Sequence, residues 1–95
     1  MNTDNVFDET FNNTENIYYR KFKSSLNEYD LLWHFDEEDR YISTDEDTNW
    51  CFQFDNELPF LIKKDEVIFI PKNVYHRLIN KYHNQSLTLK VIKVV

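Results

Sequence analysis

Two stretches of the sequence carry residue types able to do chemistry. The first is Leu31-Leu32-Trp33-His34-Phe35-Asp36-Glu37-Glu38-Asp39-Arg40, and the second runs from Asp65 to Asn80 with His76 near its end. Neutral imidazole and carboxylate both suit Fe, Mn, Ni or Zn. If residues 31–36 are extended, alternation places Leu32, His34 and Asp36 on one face and Trp33 and Phe35 on the other. Glu38 falls on the His34 face but beyond the strand end, in an acidic loop. Arg40 has two readings: an anchor for a substrate carboxylate, or an ion pair with Asp36 or Asp39. Tyr75 and Arg77 point away from the face of His76.

Other constellations fail. Asp45-x-Asp47-x-Asn49 starts like an EF-hand loop, but Trp50 replaces the glycine and Asn56 stands at the twelfth position. The chain contains no glycine, so neither a phosphate-binding loop nor a dinucleotide fingerprint can exist. Cys51 is the single cysteine and has no catalytic grouping nearby. His83 lies in a loop signal and is expected to face solvent. A net charge of −6 without a basic stripe argues against nucleic acid. No apolar run approaches membrane-spanning length. The lone cysteine and absence of a signal peptide point to a reducing, cytoplasmic setting.

The elements that must position these residues are strands. From Glu15 onward the apolar period is two. The expected strands are Ile17–Phe22, Leu31–Phe35, Arg40–Thr44, Trp50–Phe54, Phe60–Ile62, Val67–Ile70, His76–Asn80 and Leu87–Val94, with Asn, Asp, Ser or Pro at the breaks. Seven or eight short strands in 95 residues predict one all-β domain, a sandwich or barrel. Residues 1–14 read as a polar tail or as a short helix at Asp4–Phe11, which leaves 15–95 for the barrel. Turns must use Asn and Asp, the residues besides glycine that best tolerate left-handed backbone.

The stretch Asp65 to Asn80 resembles the second signature of the cupin superfamily, G-x5-P-x-G-x2-H-x3-N. Pro71, His76 and Asn80 fall at its positions, and Asp65 and Asn73 stand where it has glycine. His34 and Asp36 overlay the H-x-H of the first signature, with Asp36 in place of the second histidine. Its glutamate position falls on Arg40 or Tyr41. Trp33-His34, Phe52 to Pro59 and Tyr75-His76-Arg77 also look like short cupin-like proteins of tailed phages, which would imply a host cytoplasm. The resemblance implies an RmlC-like double-stranded β-helix barrel whose interior face carries His34 and His76.

It also implies a divalent metal held by His34, Asp36 and His76, with Arg40 at the substrate. His34, Glu38 and His76 form an alternative ligand set. A third reading is that both histidines are interior residues satisfied by Asp36 and Asn80 without metal. Cupins include oxygenases, isomerases and lyases, and also non-catalytic barrels that bind a small ligand or a protein. The expected activity is metal-dependent chemistry on a small polar or carboxylated substrate. A barrel this small cannot bury both sheet faces, so Trp33, Phe35, Tyr75 and Ile79 predict a homodimer.

Overall fold

The computed structural model describes residues 7–11 and 16–95. Eight strands form, and no helix occurs among the described residues: β1 Phe7–Phe11, β2 Ile17–Phe22, β3 Arg40–Ser43, β4 Cys51–Phe54, β5 Phe60–Leu61, β6 Ile68–Ile70, β7 His76–Ile79 and β8 Leu87–Lys93. They build a five-stranded sheet in the order β1-β2-β8-β3-β6 and a three-stranded sheet in the order β5-β4-β7. Every pairing is antiparallel. Among the described residues, no helix is long and apolar enough to cross a membrane.

Period-two patterning decides which face turns inward. Tyr18 and Phe22 of β2, Ile42 of β3, Ile70 of β6 and Leu87, Leu89 and Val91 of β8 are buried between the sheets. Phe52 and Leu78 meet them from the smaller sheet, and Trp50 and Ile62 are fully buried in the same core. Trp50 donates its indole N–H to the Gln85 carbonyl at 2.8 Å, so the buried ring leaves no polar atom unpaired. Each such apolar side chain contributes about 1.5–3 kcal/mol by leaving water.

The turns confirm the reading of the missing glycines. Asn56, Asp65 and Asn73 adopt left-handed backbone with φ of 62°, 62° and 63°. Asp65 and Asn73 are the two positions where the cupin pattern has glycine. Pro59 precedes β5, which starts at Phe60 as its missing N–H requires.

Two expectations are corrected. The helix at Asp4–Phe11 does not form over its described part, because Phe7–Phe11 is β1, paired along its length with β2; residues 4–6 lie outside the described residues. The strand at Leu31–Phe35 is reduced to one bridge, in which His34 pairs with His76. The following residues turn away because Asp36 offers its carbonyl to the Asn73 N–H at 2.7 Å instead of continuing the ladder.

Candidate metal centre

That single bridge sets the centre of the site. The His34 N–H bonds the His76 carbonyl at 3.0 Å, and the His76 N–H returns to the His34 carbonyl at 2.9 Å. Residues paired this way project their side chains on the same side of the ladder. The two imidazoles therefore sit together, with ring centroids 4.2 Å apart and planes at 68°. The flanking residues take the other side: Trp33 lies under the Arg77 guanidinium at 4.5 Å, and Phe35 meets Tyr75 at 5.1 Å. Alternation through the bridge thus separates the site face from an exposed aromatic face, as expected.

Asp36 reaches the same spot from the loop after the bridge. One ligand atom each from His34, Asp36 and His76 lies within 4.8 Å of the others. Asp36 and His76 are buried, but His34, expected on the interior with His76, is exposed, because it lies at the mouth of the cavity on a single bridge and not within a strand. The loop is tied to the Pro71 turn by Asn73 on the Asp36 carbonyl and by the Lys72 N–H on Asp39 Oδ1 at 2.8 Å. The two sequence stretches are therefore one hydrogen-bonded unit.

The ring nitrogens are committed in a way that suits a cation. His76 Nδ1 lies 2.8 Å from the Val74 carbonyl, and His34 Nδ1 lies 3.2 Å from the Leu32 carbonyl. A carbonyl oxygen only accepts, so each Nδ1 is the donor and each Nε2 is left to act as a ligand. His76 Nε2 then faces Asp36 Oδ2 at 3.4 Å. Burial, reinforced by His34, pushes the His76 pKa below its ordinary value and favours the neutral ring. A lone pair facing a carboxylate is relieved by a proton or a metal cation between them, and two imidazoles with a carboxylate form the facial donor set of mononuclear metal sites. The residues fit a metal.

Arg40 closes the arrangement. Its Nη1 lies 3.2 Å from Asp36 Oδ1, and Nη2 and Nε bond Glu38 Oε1 at 2.8 and 3.1 Å. Arg40 thus takes one Asp36 oxygen and leaves the other facing His76. Its partners are Asp36 and Glu38; Asp39 instead bonds the Lys72 backbone. Glu38 is drawn to Arg40 and to Lys93 at 3.7 Å, and Arg40 holds its carboxyl below the usual range. The alternative ligand set with Glu38 is therefore not assembled. Asn80 does not satisfy the histidines either: its amide donates to the Ser24 and Leu26 carbonyls, each at 2.8 Å.

The cluster opens into a cavity of about 350 Å³ between the sheets, which Arg20, Arg40 and mostly apolar side chains also line. Arg20 is a cavity residue that the pattern of histidines and carboxylates does not mark. Tyr18 and Phe22 point inward, so alternation puts the charged residue between them inward too, and that signal was available in the sequence.

No family model matches the chain, and no curated protein matches it in sequence. Solved structures do match in fold. Protein NMB1881 from Neisseria meningitidis superposes with a TM-score of 0.65 at 19% identity, over 93% of this chain and 84% of that one. A candidate mannose-6-phosphate isomerase from Ralstonia eutropha gives 0.66 at 9% identity, over 93% and 82%. The Fe(II) form of HppE with substrate gives 0.66 at 11% identity, and there this chain spans 53% of the longer protein. The fold is all-β and cupin-like.

Proposed function

We propose that the chain is a small mononuclear metal barrel that acts on a small polar or carboxylated substrate. The observation that carries this reading is the convergence of His34, Asp36 and His76, with both Nδ1 atoms donating to backbone and one Asp36 oxygen aimed at His76 Nε2. These three residues would hold Fe, Mn, Ni or Zn, which supplies Lewis acidity or oxygen activation when bound. Arg40 fixes the Asp36 carboxylate. The role first expected of Arg40, a substrate anchor, gives way in this reading to that holding role, since Nε, Nη1 and Nη2 are all engaged. The cavity walls beside the cluster are mostly apolar. Likeness in fold to an Fe(II) protein and to a candidate isomerase is compatible with this chemistry without selecting between its types.

A second reading has its own support. A protonated His76 would satisfy Asp36 as a plain ion pair, and the barrel would then bind a small ligand or a protein without chemistry. Elemental analysis of protein purified without chelator separates the two. Stoichiometric iron or manganese is expected, lost in Asp36→Ala and in His76→Ala and largely kept in Glu38→Ala. Metal well below one per chain supports the binding module.

A further inference from the structure

Two guanidinium groups line the cavity, and only one is saturated. Arg40 is bound on three nitrogens by Asp36 and Glu38. Arg20 lies 4.4 Å over the Phe7 ring and 4.9 Å over the Tyr18 ring, which holds its plane without satisfying its donors. Its Nη2 makes a long 3.4 Å bond to the Tyr18 hydroxyl. Glu9 Oε2 stands 3.8 Å from Nε, beyond hydrogen-bond reach. Among the described residues, the buried Nε finds no acceptor. Such a donor is left without compensation for the water it lost.

We propose that the cavity takes a small organic carboxylate with an apolar body, held at its carboxylate by Arg20 and facing His34, Asp36 and His76 with its other end. The assignment of the reacting end rests on the metal reading above; the anchor itself does not. A planar guanidinium matches a carboxylate through paired hydrogen bonds. Glu9 already offsets part of the Arg20 charge, so a monoanion fits better than a phosphate dianion. Phe22, Leu31, Ile42, Leu89 and Val91 line the same cavity and call for an apolar body. Its volume of about 350 Å³ holds roughly a dozen non-hydrogen atoms.

Position keeps the two ends apart. Arg20 pairs with Leu89 and Arg40 with Lys93, on opposite sides of β8 and four residues apart along it. Strand spacings put their Cα atoms roughly 16 Å from each other. The carboxylate anchor and the Asp36 cluster therefore rest on different strands, with β8 between them.

Calorimetric titration with 4-phenylbutanoate and the isosteric 4-phenylbutanamide tests this, with metal removed by chelator so that the carboxylate cannot bind an ion. The acid should bind at least tenfold tighter than the amide. Arg20→Gln should abolish that preference, read as the ratio of acid to amide affinity within each variant, and Arg20→Lys should keep part of it. Glu9→Gln, which leaves Arg20 in place, should strengthen acid binding. Equal affinities in the unaltered protein, or a preference that survives Arg20→Gln, overturn the anchor. Stoichiometric metal without acid preference sinks the anchor alone, and acid preference without metal sinks the metal reading alone.

Discussion

Arg40 is the residue on which the geometry of the cluster depends, although it is not a ligand in our reading. It neutralises a buried Asp36 and selects which carboxylate oxygen faces His76. Replacing it with Met leaves that carboxylate buried without its cation. Unfolding by urea should show a loss of about 3 kcal/mol, and metal affinity should fall as Asp36 loses its orientation. A loss below 1 kcal/mol would mean that the pair is not buried in solution. Tyr18 gives a second residue-level expectation. Burial raises its phenol pKa above the ordinary value of 10.0, so the folded protein keeps the proton longer than the unfolded chain. The stability gained this way is fully present below pH 10 and is lost as pH rises through that value toward the folded pKa. Between pH 9 and 11 the melting temperature should fall more steeply for the unaltered protein than for Tyr18→Phe.

At the scale of elements, the turn before β7 does the positioning. Asn73 holds φ at 63° and donates its N–H to the Asp36 carbonyl. Asn73→Ala should cost about 1 kcal/mol or more, since left-handed backbone penalises a Cβ without a polar compensation. Asn73→Gly should stay within about 0.5 kcal/mol, because glycine gains steric freedom and loses chain entropy together. Chemical denaturation of the two variants makes the comparison. This turn was legible in sequence because Pro71 and Asn73 have restricted and permissive backbones that mark it unaided. β2 to β4 and β6 to β8 were legible because their alternation answers to burial on one face, and β5 because Pro59 marks its start. Residues 31–35 misled because their apolar pattern answers to a different demand. Leu31 enters the core, while Leu32, Trp33 and Phe35 remain largely exposed around the one bridging histidine. β1 was hidden because only its pairing with β2 makes it a strand. Asp36 was legible as a partner of Arg40 from its spacing of four, whereas Glu38 and the partners of Asn80 were hidden, since loop packing sets them.

For the whole molecule, the exposed aromatic side beside the site is the main unspent surface. Trp33, Phe35 and Tyr75 are 39%, 45% and 48% exposed, and Ile79 is half-buried. A second copy of the chain remains the occupant we expect, because a small barrel has no further layer to cover it. Light scattering at tens of micromolar should give the dimer mass, and Tyr75→Lys should shift it toward the monomer. A monomer for the unaltered chain at that concentration would contradict the expectation.

The place of β8 has a consequence for how the chain is made. It lies between β2 and β3, joining strands that come seventy and about fifty residues before it. On the ribosome, β2 and β3 emerge early and must wait with open edges and apolar faces turned to water. The larger sheet cannot knit together until Leu87–Lys93 has left the exit tunnel. Folding is thus deferred until after most of the domain has been synthesised, and it then depends on long loop closures, which are slow. During that interval the nascent barrel is a natural client for chaperones that shield strand edges.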